Sequence, residues 1–272
     1  MSDLALLYAT VCGGACVSAI ASVFKGKLLK GGLLEESVVV GSSLGTIVTC
    51  SLFFVFEHGV ALPKVTTGFW AALTVTGGLN ILIQYLGTKA LKLEEASVVI
   101  PLAATTPAWL VVFSWLLLGE WPTRAGYAGI ATISLGTYIV ALRGGSLLAP
   151  WVRIIRSRGA RLALGTAYLG SISLNFDKLA VLESDPMTFS ASAYAIVALS
   201  IYLWAKSRGN WVMFPKEVFF TGMIAGVGTV LMNSGYLYGI VPYVGTLKRT
   251  TIFWGVLFAG VILRETNIKT NI

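Results

Sequence analysis

Two cations stand side by side in an otherwise apolar stretch: Lys248 and Arg249 in VPYVGTLKRTTIFWGVLFAGVILRE, residues 241–265. The stretch is long enough to cross a bilayer, which takes about 20 residues. The pair lies roughly 7 Å from its middle at about 1.5 Å per residue. A cation at the centre of a membrane helix costs about 2.5–3.5 kcal/mol on insertion scales. Two together need a partner, an aqueous cavity or a ligand. The chemistry they offer is anion binding, with Arg as a two-pronged fork and Lys as a point charge. The competing account is snorkelling to the near interface or pairing with a structural carboxylate.

Other polar groups sit in apolar surroundings. Asn80 and Gln84 are four apart and share a helix face, and Asn233 and Tyr236 lie in a later segment. Each could line a cavity or make an interhelical hydrogen bond, which contributes about 0.6 kcal/mol. Lys178 could anchor at the interface or reach a cavity, and the adjacent Asp177 could titrate a coupling proton. Trp109 and Trp254 are too deep for an interfacial aromatic belt; they could wall a cavity or pack in a core. Thr251, beside the cationic pair, completes the expected substrate-binding set. Glu120 and Glu265 close their segments and are expected to form turns.

An enzyme would need a nucleophile–base pair or metal ligands. His58 is the sole histidine and sits in a loop, and HExxH, GxSxG and Walker patterns are absent. Cys12, Cys16 and Cys50 lie in apolar segments with no second His/Cys pair to complete a metal site. They read as small packing residues. No catalytic residue, metal or cofactor is expected.

The elements that must position these groups are membrane helices. The chain has 272 residues, 56% hydrophobic and 12% charged, with mean hydropathy +0.81; a soluble domain carries about 25% charged residues. The net charge of +8 sits in short loops, which points to membrane topology and not to nucleic acid. The start, MSDLALLYATVCGG, is acidic where a cleavable signal would be basic. Nine segments are expected: 3–24, 37–56, 67–88, 96–118, 124–142, 161–182, 187–205, 217–239 and the 241–265 stretch. Pro101 and Pro107 lie inside the fourth and can kink it.

The chain repeats itself. Shifted by 145 positions, Thr105-Thr106 meets Thr250-Thr251, Trp109 meets Trp254 and Glu120 meets Glu265, while Lys248-Arg249 falls on Ala103-Ala104. This divides the chain into a first copy (1–143), a basic linker (144–160) and a second copy (161–272). The first copy has five helices and the second four. The tenth helix, due near Lys269, is expected to be missing, as in a truncated chain. Numbered from the N-terminus, the odd loops carry most of the basic residues, whereas the even loops hold only Lys64, Arg124 and Lys178. That places the linker in the cytoplasm and the N-terminus outside. An odd helix count per copy makes the copies inverted, the common plan of secondary transporters with a midplane site. Gly41/Gly45, Gly222/Gly226 and Gly235/Gly239 allow close helix approach, within the chain or across a homodimer.

The stretch SWLLLGEWPTRAGYAGIATISLGTYIVAL (114–142) and its counterpart LKRTTIFWGVLFAGVILRETNIK (247–269) carry a family resemblance. An apolar helix closing in Gly/Arg-Glu, a turn and a Gly-rich helix resembles the repeat of the drug/metabolite transporter superfamily, EamA type. The resemblance covers the whole chain. It implies ten helices in two inverted repeats and transport of a small molecule. The superfamily's substrates span amino acids, sugars, nucleotide sugars, phosphorylated sugars, cations and drugs. Two features depart from it: nine segments where the family has ten, and an outside N-terminus where bacterial members usually keep it inside. The Lys-Arg pair also resembles that of plastid sugar-phosphate translocators, where it binds phosphate.

The expectation is therefore an all-α polytopic protein of the cytoplasmic membrane, a secondary transporter working by alternating access on a substrate with an anionic group. The alternative is a non-transporting structural or lipid-scrambling protein, whose polar residues would face lipid or packed protein instead of a cavity.

Overall fold

The computed structural model describes residues 2–94, 96–142 and 148–262. Its elements are twelve α-helices and one 3-10 turn. The helices are α1 (Asp3–Lys30), α2 (Glu35–His58), α3 (Thr67–Leu93), α4 (Ala96–Ala103), α5 (Thr106–Leu118) and α6 (Arg124–Ala141). They continue with α7 (Ala149–Arg156), α8 (Arg158–Leu182), α9 (Pro186–Ser207), α10 (Lys216–Ser234), α11 (Val241–Lys248) and α12 (Thr250–Ile262). The 3-10 turn, Gly235–Leu237, follows α10. Among the described residues, six spans are long and apolar enough to cross a membrane: α1, α2, α3, α4 with α5, α9, and α10 with its turn. The protein is a multi-pass membrane protein. Large apolar side chains such as Phe53, Trp70 and Leu116 point outward, as lipid contact requires.

Helix starts follow the polar punctuation. Thr66, Thr123 and Ser157 cap α3, α6 and α8 through their hydroxyls. Asp185 accepts from the backbone of Met187 and Thr188, both at 2.8 Å, at the head of α9. These acceptors satisfy amides that the helix itself cannot. Gly119, with φ 68°, ends α5 in the left-handed conformation that suits glycine.

Two corrections to the sequence picture matter. Residues 217–239 are not one helix, because α10 stops at Ser234 and tightens into the 3-10 turn. The fourth and ninth segments are each broken in two. The breaks fall at equivalent places: α4 ends at Ala103 and α11 at Lys248, which the 145-position shift aligns. The double threonine sits at the break in each case. Thr105 donates to the Leu102 carbonyl and Thr106 to the Ala103 carbonyl, each at 2.7 Å. Thr250 donates to Leu247 and Thr251 to Lys248, again at 2.7 Å. The hydroxyls add hydrogen-bond partners at carbonyls where the helical ladder is interrupted, Ala103 among them, whose i+4 residue is Pro107. The expected Glu265, Lys269 and missing tenth helix lie outside the described residues.

Close packing ties the copies together. α3 and α8 run antiparallel: Thr66 meets Glu183, Thr76 meets Ser173, and Gly87 meets Thr166. α10 lies against α1 and α2. A methyl group on Gly222 would come within 2.0 Å of the Ser42 carbonyl oxygen, and one on Gly14 within 2.6 Å of that of Gly228. Thr46 donates across the α2–α10 seam to the Gly222 carbonyl at 2.9 Å. Gly41, Gly45, Gly222, Gly226, Gly235 and Gly239 all pack against other parts of the same chain. One core, around Leu7, Phe69, Leu110, Tyr236 and Val244, fills the end where α1 and α3 begin. A smaller one, around Ala90, Val98, Leu102 and Ala163, fills the other end. The linker is partly helical, and Ile154 of α7 packs on that smaller core.

Candidate functional site

A cavity of about 270 Å³ lies between the two cores. Asn80 and Ile83 of α3 form one wall. A stripe of α8 forms the second, from Thr166 through Gly170 and Ser173 to Asp177. Residues three and four apart share a helix face, so one side of α8 faces the cavity over about three turns. Ala103 and Thr106 flank the break between α4 and α5, and Arg249 is the break between α11 and α12. Both broken helices therefore meet the cavity at equivalent points, and only the second brings a charge.

The wall is hydrogen-bonded before any ligand arrives. Asn80 donates to the Thr76 carbonyl at 2.9 Å and to Ser173 at 3.1 Å. Thr76 and Ser173 share a 2.7 Å bond, and Thr76 also donates to the Asp177 carboxylate. This network fixes Asp177 and Asn80 against the α3–α8 seam. Arg249 is different: its guanidinium makes no hydrogen bond or ion pair with any described residue. It is a fork of five donors at a cavity whose lining mixes polar side chains with Ile83, Ala103, Ala167 and Leu174.

Lys248 does not join it there. Consecutive helical residues diverge by about 100°, and Lys248 turns toward α10. Its ammonium donates to Asn233 Oδ1 at 2.8 Å and to the Tyr236 hydroxyl at 3.0 Å, 4.3 Å from that ring's centre. Asn233 in turn donates to Ser190 of α9 at 2.8 Å. Lys248, Asn233 and Tyr236 form a separate, internally satisfied cluster.

The remaining expected residues scatter. Lys178, one position past Asp177, faces the opposite way. It pairs with Glu120 at 2.5 Å and donates to the Gly239 carbonyl at 2.9 Å. The other Glu120 oxygen accepts from the Val241 backbone at 2.7 Å. Lys178 is thus a fastening between α8, the end of α5 and the start of α11. Thr251 bonds the Lys248 carbonyl and is part of the break. Gln84 is exposed, outside the cavity, although it is one turn from Asn80. Trp109 packs edge-on against Tyr168, 5.7 Å between ring centres, and Trp254 lies beside Phe253 and Phe258. Neither lines the cavity.

The residues that sequence inspection missed are Thr76, Ser173 and Thr106. A signal was present for the first: Thr76 precedes Asn80 by one turn. Nothing in the sequence pairs Ser173 with either.

Comparisons with known proteins agree with this architecture. No curated protein matches. A solved crystal structure of a protein matches at TM-score 0.69 with 16% identity, covering 94% of this chain and 87% of that one, a likeness of fold. A model of the EamA-like transporter family matches residues 5–142. With that half of the sequence matched and broken membrane helices converging on a central cavity, the chain belongs to the EamA-like transporter family.

Proposed function

We propose that the protein is a secondary transporter that carries a small metabolite with an anionic group across the cytoplasmic membrane by alternating access. The observation that carries this is Arg249. An unpaired guanidinium within a membrane-spanning bundle is costly, and here it faces a cavity lined by Asn80, Thr106, Thr166 and Ser173. Those side chains can bond hydroxyl or carbonyl groups of a ligand, while Arg249 takes a carboxylate or phosphate bidentately. Asp177 is the titratable acid in the lining, in place to exchange a proton when the anion binds or leaves. A volume of about 270 Å³ sits at the small end of ligand pockets, about 300–1,000 Å³, and suits a small metabolite.

The repeated breaks support the mechanism. A cavity where two interrupted helices meet, between copies of one unit, is the arrangement in which rocking one copy against the other alternates access. The same cavity favours transport over the structural alternative, which requires packed protein at these positions. The two copies are read as inverted, with the linker cytoplasmic.

The test is exchange or uptake by the purified chain in proteoliposomes, over a panel of carboxylates and phosphates. Arg249→Lys keeps charge but loses the fork and should raise KM by about tenfold or more, the loss of one charged hydrogen bond. Arg249→Ala should abolish anion transport. If Arg249→Ala moves every transported anion at the unmodified rate, the anionic-substrate reading fails.

A further inference from the structure

A second cavity lies on the flank of the bundle, away from Arg249. Val40, Leu44 and Ile47 of α2 form one wall, and Ala195, Leu199 and Tyr202 of α9 the other. The α9–α10 loop closes one end with Val212 and Phe214. The Phe214 ring seats on Gly41, where a methyl group would come within 2.5 Å of it. The volume is about 400 Å³, and the lining is apolar apart from the Tyr202 hydroxyl. Leu44, Leu199 and Tyr202 are 39%, 59% and 43% exposed, so the groove opens away from the bundle. Both walls belong to spans that cross the membrane, and the surrounding solvent is lipid. Each wall covers eight residues, a rise of roughly 10 Å, or about two thirds of one leaflet of a ~30 Å hydrocarbon core.

The walls end in opposite charges. One turn before Val40 on the same face of α2 stands Glu36. One turn after Tyr202 on the same face of α9 stands Lys206. Both lie at the end closed by Val212 and Phe214. Lys206 makes no ion pair or hydrogen bond with any described residue, and Glu36 accepts only a 3.5 Å bond from Asn210. Arg208, nearby in sequence, stacks on Trp204, its guanidinium 4.0 Å from the ring centre.

An apolar slot open to lipid, with one free base and one free acid at its mouth, complements a lipid that carries both a phosphate and a hydrogen-bonding ammonium. We propose that the groove between α2 and α9 binds one acyl chain of an aminophospholipid, its phosphate at Lys206 and its ammonium at Glu36. The charges select the headgroup. A quaternary choline cannot donate a hydrogen bond to Glu36, and a headgroup with only negative charge meets Glu36 as a like charge. The site is independent of what the central cavity carries. It would tie α2 of the first copy to α9 of the second from outside the bundle.

The test is native mass spectrometry of the delipidated full chain, with phosphatidylethanolamine, phosphatidylcholine or phosphatidylglycerol of identical acyl chains. Phosphatidylethanolamine should be retained about twofold to fivefold over phosphatidylcholine, the range of one exposed ion pair. Glu36→Gln should erase that difference. Lys206→Gln should lower retention of both lipids. Ala195→Trp fills the groove from an exposed position and should abolish the phosphatidylethanolamine adduct, with thermal unfolding as the check on folding. Equal retention of the three lipids, or preference for phosphatidylglycerol, overturns the headgroup assignment. An adduct that survives Ala195→Trp overturns the location. A lipid-free dimer that Ala195→Trp dissociates would show that a second copy covers the groove, and would also overturn the proposal.

Discussion

Loss of Glu120 should open one end of the transporter before it unfolds the protein. Its carboxylate makes two charged hydrogen bonds, to the Lys178 ammonium at 2.5 Å and to the Val241 amide at 2.7 Å. Hydrogen bonds to charged groups contribute about 1.5–3 kcal/mol each. The pair is 12% and 13% exposed, so water competes and the lower figure applies to each, about 3 kcal/mol for both. If the fastening exists only in this state, Glu120→Ala shifts the balance toward an open end by roughly a hundredfold. The assay is alkylation of a single cysteine at position 170 in a chain without Cys12, Cys16 and Cys50. Gly170 lines the cavity, and a side chain added there meets nothing within 4 Å. A membrane-impermeant thiol reagent is applied from the side that carries Glu120. Labelling should rise at least tenfold in Glu120→Ala and in Lys178→Met, and no further in the double variant, because both remove one fastening. Unchanged labelling in both single variants, with helicity and melting temperature retained, would refute the idea that this contact holds the end shut.

Three further outcomes follow from the same contacts. Gly222→Ala must displace backbone at the α2–α10 seam and should lower thermal stability by about 1–3 kcal/mol, whereas Gly129→Ala, with open space at its Cβ, should be neutral or stabilising by up to about 1 kcal/mol; equal melting temperatures would contradict the seam. Asp177→Asn should leave anion exchange intact while removing any drive by a proton gradient, read as counterflow against gradient-driven uptake in the same vesicles. Asn233→Leu removes one acceptor from the Lys248 ammonium, which keeps Tyr236, and one donor from the Ser190 hydroxyl, which keeps the Pro186 carbonyl; it should cost about 1–3 kcal/mol of stability without changing KM for the anion, the opposite pattern to Arg249→Lys.

The places where two helices are interrupted were marked in linear order: Thr105-Thr106 and Thr250-Thr251, which the 145-position shift aligns, sit at the α4–α5 and α11–α12 breaks. The cost of membrane charge pointed to Lys248 and Arg249 together, and of the two Arg249 is the one that lines the cavity. That cost could not separate Arg249 from Lys248, because the neighbour that neutralises the geometry of Lys248 is Asn233, fifteen positions away. Polarity likewise pointed to Asn80, which lines the cavity, and to Gln84, which is exposed, since helical spacing does not say how neighbouring side chains divide a shared face. Trp109 and Trp254 meet aromatic neighbours and not the cavity, because position along a segment does not say which neighbour a ring meets. Lys178 and Glu120 are 58 positions apart, and only the fold brings them together.

The two breaks differ in one respect that bears on motion. In the first copy the residue that would restore the main-chain bond to Ala103 is Pro107, which has no amide hydrogen. That elbow is permanent. In the second copy the equivalent residue is Ile252, whose amide is at present engaged by Arg249 at 3.0 Å. It can return to the Lys248 carbonyl if Thr251 lets go. One joint is welded and the other is hinged, and the hinged one carries the guanidinium. Straightening it would turn Arg249 about the helix axis and away from the cavity, which would give the proposed anion site a release route through the backbone.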